Sequence, residues 1–233
     1  MSDSSLKQKC VVIIGGSSGI GLAVARAAAR AGADILVVSR QAGERQDELA
    51  ATVGPNVRTF SADIRSGEQV ERLLGELVEF DHLVITVRPE LEPSPFMQVD
   101  PEAAKEAFET KFWAPYRLIQ RACTRIRPGG GIVLTSGIAG ERIYRGSSTM
   151  ALINSAVETL CRSLAVELAP IRVNAVSPGF VAPKPVDTRE YASGFPAGRL
   201  ATTDEVADAY VALMTTPYVT GTSLTVDGGA RLI

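Results

Sequence analysis

Hydrophobic residues fall into two alternating patterns along this chain: short unbroken apolar runs, and longer segments whose apolar positions recur with the period of a helix. Unbroken runs bounded by turn residues read as strands buried on both faces, as in a parallel sheet. Seven are predicted: CVVIIGG (10–16), ADILVVSR (33–40), VRTFSAD (57–63), DHLVITV (81–87), GGGIVLTSG (129–137), IRVNAVSPG (171–179) and GTSLTVDGG (221–229). Helical segments lie between them. GIGLAVARAAARAG is one, with Gly32 placed to end it, and GERQDELAATVG and GEQVERLLGELVEF are two more. After a proline-rich loop, RPELEPSPF, a long helix is predicted from about Pro101 to Ile126. A last one starts in SSTMALINSA and continues through VETLCRSLAVELA, with Ile153, Val157, Leu160, Leu164 and Leu168 forming an apolar stripe. Strands and helices taking turns imply βαβ units, so the expectation is an α/β fold, a doubly wound parallel sheet with helices on both faces. No repeat, linker or low-complexity segment interrupts it, which favours a single domain over 1–233.

Composition narrows the partners. A chain of 233 residues, 45% hydrophobic, is long enough for one core. Its net charge of -2 is scattered, leaving no basic block for a phosphate backbone or an anionic bilayer, so neither nucleic acid nor a membrane is expected as a partner. The start, MSDSSLKQK, is polar, and CVVII behind it is too short for a signal-peptide core, which predicts a cytoplasmic protein. Cys10, Cys123 and Cys161 have no metal-ligand spacing and read as reduced core residues.

The first strand runs directly into GGSSGIG and a helix, so Gly15, Gly19 and Gly21 occupy the strand–turn–helix context in which glycine lets the backbone approach a pyrophosphate. Ser17 and Ser18 add hydroxyl donors. At the end of the second strand an acidic residue would accept from the ribose 2′-OH of NAD, but Ser39 and Arg40 stand there. A guanidinium suits a 2′-phosphate, so the cofactor expected is NADP(H). The competing view of Arg40 is a solvated surface arginine. Asp63, ending the third strand, is placed to reach the adenine amino group.

The ordered set GGSSGIG, VVSR, SADI, GGGIVLTSG, SLAVELAPIRVNAVSPGFV, GRLATTDEVADA and YVTGTSLTVDGG resembles the short-chain dehydrogenase/reductase family over almost the whole chain. The resemblance implies a Rossmann-type sheet of about seven parallel strands in three α/β/α layers, a nicotinamide cofactor, a small-molecule substrate and a homo-oligomer, tetramer or dimer, built on the long helices. By position it implies that Gly15, Ser17, Ser18, Gly19, Ile20, Ser39, Arg40, Asp63 and Ile64 contact the adenosine and phosphates. Pro178, Gly179 and Val181 border the nicotinamide, and a substrate lid spans about 182–198.

The catalytic half of the family pattern is rewritten. Aligned without gaps, the family's Tyr-x-x-x-Lys falls on Met150 and Asn154, its serine on Gly137 with Ser136 one place early, and its relay asparagine on Lys111. Met150 has no proton to give. Asn154, one turn on, keeps an amide that can hydrogen-bond a ribose hydroxyl or a substrate oxygen. Water, Ser136, Lys111 and Tyr144 are the candidates to replace the proton donor, with a lysine pointing to an interface or solvent and a loop tyrosine packed at the surface as the bland alternatives for Lys111 and Tyr144. Arg88 stands where the family has glycine and must reach an anion or turn away. His82 is expected to be structural. The function expected is an NADP(H)-dependent oxidoreductase acting on a carbonyl or alcohol. The alternatives are an impaired NADP(H)-binding regulatory protein, or a non-redox isomerase, cyclase or dehydratase.

Overall fold

The computed structural model describes residues 6–184 and 186–233, so the first five residues of the polar start and Pro185 of the expected lid lie outside it. Seven strands, β1 (Cys10–Ile14), β2 (Asp34–Ser39), β3 (Arg58–Ser61), β4 (Phe80–Ile85), β5 (Ile126–Thr135), β6 (Arg172–Pro178) and β7 (Ser223–Val226), form one sheet in the order β3-β2-β1-β4-β5-β6-β7. Every neighbouring pair is parallel. The main helices are α1 (Gly19–Arg30), α2 (Gln46–Val53), α3 (Gly67–Glu76), α4 (Pro101–Phe108), α5 (Ala114–Ala122), α6 (Ser148–Glu167), α7 (Val186–Ala192) and α8 (Thr203–Thr215).

Strand β1 shows why the apolar runs are unbroken. Successive side chains point to opposite faces. Val12 and Ile14 join a core with α3, α4, α5 and α6, while Val11 and Ile13 join a second core with α1, α2 and α8. With both faces covered, no position is left for a polar alternation. The α6 stripe is spent in the same way: Ile153, Val157 and Leu160 are buried under the sheet, with Leu164 and Leu168 packed beside them.

Two predicted helices end differently. GEQVERLLGELVEF is helical only to Glu76, and Phe80 opens β4 as one of the largest fully buried side chains. The long helix is not uniform. After α4 a π-helical turn, Glu109–Trp113, leads into α5, then a 3-10 turn, Cys123–Arg125, and Ile126 already belongs to β5, paired with Phe80. Pro115 supplies the reason for the wider turn. It has no N–H for the carbonyl four residues back, that of Lys111, and its ring needs room there. The loop expected over 182–198 carries α7, and Ala192 and Phe195 are buried with Ile138 and Ala230 in a third small core.

Sequence order reverses between β1 and β4, which lie side by side. In such sheets the crevice at the carboxyl ends of these strands is where ligands bind. Among the described residues no helix is long and apolar enough to cross a membrane.

Candidate active site

Beyond Ile14 the chain turns through Gly15 (φ 81°) and Gly19 (φ 52°), both left-handed. A Cβ at Gly21 would collide with the Gly15 carbonyl and the Thr86 hydroxyl, so α1 sits as close to the turn as a glycine allows. A Cβ at Gly19 would meet nothing within 4 Å, so the start of α1 opens on free space. Thr86, just past β4, donates its hydroxyl to the Ile14 carbonyl at 2.9 Å and pins the turn to the switch point. Ser18 precedes α1 without capping it, which leaves the helix N–H groups free for an anion. These residues fit a dinucleotide diphosphate.

The adenosine side is more crowded than the sequence suggests. The Ser39 hydroxyl is buried with no partner. Arg40 reaches outward to Glu90 at 3.3 Å, an exposed pair. Asp63 is held by Arg65, at 3.0 and 2.6 Å, and these hydrogen bonds keep its carboxyl below the usual range. Arg65 also binds Glu106. Ile64 is buried behind them, and Ile20 packs against the α1 side of the sheet. Arg45, which sequence reasoning did not single out, donates to the Ser17 carbonyl at 2.7 Å and to Glu48 at 2.8 and 2.6 Å, so its guanidinium stands against the glycine-rich turn. From sequence it shows only the spacing of a surface pair with Glu48, and nothing marks its reach to Ser17.

At the carboxyl end of β5 the structure brings three of the predicted residues together. Lys111, carried by the π-helical turn, is buried and donates from Nζ to the Ser136 carbonyl at 2.8 Å and to Asn154 Oδ1 at 2.7 Å. An ammonium only donates, so this bond fixes the Asn154 amide with its oxygen toward Lys111. Its Nδ2 then lies over Gly137, 2.9 Å from where a Cβ would stand. Burial, and after it the charge of Arg88, bring the Lys111 pKa down to about 7, with Glu158 opposing.

Ser136 contributes its carbonyl to this group, while its hydroxyl turns inward to Glu158 Oε1 at 2.9 Å. Glu158 also accepts from Ser223 at 3.4 Å, and no local motif marks this buried acid. Met150, partly buried, lines a cleft with Leu91, Glu92, Ser94, Ser147 and Thr149. Pro178 ends β6, the Gly179 N–H donates to the Val226 carbonyl at 2.9 Å, and Val181 bridges to Ala201.

Tyr144, a candidate, and His82, expected to be structural, both stay outside the group. Tyr144 packs edge-on against Phe180 beneath the Arg142 guanidinium, its hydroxyl buried without a partner, and burial raises its pKa. His82 is inside β4, paired in register with Val11 and Gly131, and burial, with Arg172 adding to it, pushes its pKa down to about 4. Arg88 is exposed and makes no hydrogen bond or ion pair among the described residues.

A family model described as Enoyl-(Acyl carrier protein) reductase matches residues 15–231. The chain belongs to the short-chain dehydrogenase/reductase family. A short-chain dehydrogenase/reductase of Stachybotrys chlorohalonatus is 32% identical, covering 98% of this chain and 99% of its own. The 3-oxoacyl-acyl-carrier-protein reductase of Mus musculus is 31% identical, covering 96% and 98%. Among solved structures, a short chain dehydrogenase/reductase family protein superposes with a TM-score of 0.89 at 30% identity, over 98% of this chain and 100% of that one. A small-chain dehydrogenase in complex with NADPH superposes with a TM-score of 0.79, also at 30% identity, over 97% and 100%. Short-chain dehydrogenase/reductases are oxidoreductases that use nicotinamide cofactors.

Proposed function

We propose that this short-chain dehydrogenase/reductase is an NADP(H)-dependent oxidoreductase that reduces a carbonyl group, or oxidises the alcohol, in a site where Met150 and Asn154 occupy the family's tyrosine and lysine positions. When bound, the cofactor supplies the hydride. Gly15, Ser17, Ser18, Gly19 and Ile20 would hold its phosphates, and Ser39, Arg40 and Arg45 its 2′-phosphate. Asp63 and Ile64 would meet the adenine, Asn154 the nicotinamide ribose, and Pro178, Gly179 and Val181 the nicotinamide.

The observation that carries the reading is Lys111. A carbonyl oxygen that receives hydride needs a proton, and a general acid works best with a pKa near the working pH, contributing roughly 10²–10⁴-fold. Met150 cannot serve. Lys111 has a pKa of about 7, and two of its three N–H groups are fixed on Ser136 and Asn154, so one remains to give. Ser136 is in the site as an acceptor through its carbonyl. Asn154, oriented by Lys111, keeps its Nδ2 donors for a substrate or ribose oxygen. Segment 182–198 closes over the substrate. Trp113 and Tyr116, with Leu152 and Val166 on α6, leave apolar surface exposed on neighbouring helices, which supports a homo-oligomer.

The test is NADPH oxidation by the purified protein over a panel of ketones and aldehydes as a function of pH. Reduction is expected to be fastest below about pH 7 and to fall above it as Lys111 loses its proton, with the break absent in Lys111→Met. Tight NADPH binding without turnover on any carbonyl would overturn the reading. It would favour a regulatory NADP(H)-binding protein or a non-redox isomerase, cyclase or dehydratase, to which the inward turn of the Ser136 hydroxyl lends support.

A further inference from the structure

We propose that Glu158, on α6, is a positioning residue for the site: it holds Ser136 so that the Ser136 carbonyl faces Lys111, and it supplies the negative charge that offsets the buried ammonium. This deepens the reading above, and only its consequence for turnover rests on that reading.

Asn154 and Glu158 lie four residues apart, so they leave the same face of α6 one turn from each other. Asn154 Oδ1 accepts from Lys111 Nζ at 2.7 Å, and Glu158 Oε1 accepts from the Ser136 hydroxyl at 2.9 Å. The Ser136 carbonyl in turn accepts from Lys111 Nζ at 2.8 Å. Four buried residues thus close a ring that joins the π-helical turn, α6 and the end of β5. Glu158 is the member of that ring that touches Ser136 and not Lys111.

Ser136 stands where the chain leaves the sheet. Strand β5 ends at Thr135, and a 3-10 turn follows over Ile138–Gly140. The Ser136 N–H donates to the Val176 carbonyl at 2.9 Å. Its hydroxyl has one hydrogen and two acceptors in reach, Glu158 at 2.9 Å and the Val176 carbonyl at 3.4 Å. The bond to the carboxylate is the shorter and, being charge-assisted, the stronger. With the N–H tied to β6 and the hydroxyl to α6, the backbone of Ser136 has little freedom left, and its carbonyl stays on Lys111.

A buried carboxylate is costly, and an apolar side chain would fill the same place without that cost. Among the described residues Glu158 has hydroxyl partners, Ser136 and Ser223, and no ion pair. What it can do and a leucine cannot is favour the ammonium form of Lys111. The charges that act on Lys111 are Arg88, beyond β4, which works against its proton, and Glu158, which works for it. The other walls of the small cavity beside the lysine, Val87, Phe112, Leu134 and Leu160 among them, carry no charge. Glu158 is therefore the one carboxylate among these neighbours that keeps a proton on Nζ, where a carbonyl oxygen would need it.

The test reads Lys111 directly, by NMR titration of the Cε resonances in the intact protein made with carbon-13-labelled lysine. The Lys111 signal is the one missing from Lys111→Met. Glu158→Gln keeps an acceptor for Ser136 and removes the charge, and is expected to lower the Lys111 midpoint by about one pH unit, a tenfold loss of ammonium above the midpoint. Glu158→Asp, which keeps the charge, is expected to restore most of it. Ser136→Ala should lower the midpoint as well, and Ser223→Ala should leave it in place. A midpoint unmoved by Glu158→Gln, with or without a lower melting temperature, overturns the proposal and leaves Glu158 a structural residue. So does a midpoint unmoved by Ser136→Ala, which decides alone if Glu158→Gln does not fold. An equal fall in Ser223→Ala also overturns it, by assigning the carboxylate to β7. The pH at which carbonyl reduction falls is expected to follow the midpoint in each variant. Midpoints that move as stated in a protein that reduces no carbonyl leave the positioning role standing and remove the reductase reading.

Discussion

Lys111 Nζ donates to Asn154 Oδ1 at 2.7 Å, a contact between the π-helical turn after α4 and the first half of α6. In the proposed alignment the family's asparagine and lysine have exchanged helices, and in this chain the two residue types are hydrogen-bonded to each other. A cation buried this deeply depends on its partners. Asn154→Lys alone would set a second ammonium against the first, and a loss of about 3–5 kcal/mol is expected, the scale of an unpaired buried charge. Adding Lys111→Asn restores the pair in the other order and recovers most of the loss. Urea midpoints of the two single variants and the double variant measure this, and additive losses would sink the idea of an exchange.

The same geometry shapes any attempt to rebuild the family site. A serine at Gly137 meets Asn154 Nδ2, 2.9 Å from the new Cβ. Gly137→Ser by itself is expected to lower the melting temperature. Combined with Asn154→Lys, Lys111→Asn and Met150→Tyr it should be tolerated and raise carbonyl reduction, because a tyrosine acid and a lysine beside it are then both present. No gain on any carbonyl from a folded quadruple variant would mean that the cleft at Met150 is shaped for another reaction.

How much of this was legible follows from the range of each interaction. The strands were, since burial on both faces forces unbroken apolar runs such as Val11–Ile14, and the cradle was, since Gly15 and Gly19 need positive φ next to a helix start. Lys111, Asn154 and Met150 stand out in the sequence because each breaks the family pattern. The π-helical turn was hidden because its cause, Pro115, sits inside an otherwise periodic segment. Arg45 and Glu158 were hidden because their decisive partners, Ser17 and Ser136, lie far away in sequence. Local pattern carries no signal of such contacts.

Arg45 offers a test on the cofactor side. It already stands on the Ser17 carbonyl, whereas Arg40 must leave Glu90 before it can meet a phosphate. Charge-assisted hydrogen bonds are worth roughly 1.5–3 kcal/mol. Arg45→Ala is therefore expected to weaken NADPH by about tenfold or more while leaving NADH nearly unchanged, and Glu90→Gln, by freeing Arg40, to tighten NADPH a few-fold. Fluorescence titration with the two cofactors reads both effects. Equal losses for NADPH and NADH in Arg45→Ala would show that the arginine supports the turn and does not read the 2′-phosphate.

Acid stability has a separate origin in His82. Burial holds its pKa at about 4 in the folded protein against 6.5 for the free side chain, and its Nδ1 has no partner. A base whose pKa is depressed by folding is neutral in the native state while the unfolded chain takes up the proton. Stability is therefore intact above pH 6.5 and is lost as pH falls from 6.5 toward 4, by an amount on the order of 3 kcal/mol. Replacing the imidazole by His82→Leu removes that titration. Urea unfolding at pH 7.5 and at pH 5 should show wild type and variant closer together at the first pH and the variant gaining relative stability at the second. Carboxylates such as Asp63 and Asp81, whose pKa values are also depressed, weaken both proteins alike in acid, so the difference between the two curves isolates the histidine. If the difference is the same at both pH values, the buried imidazole does not set the acid limit.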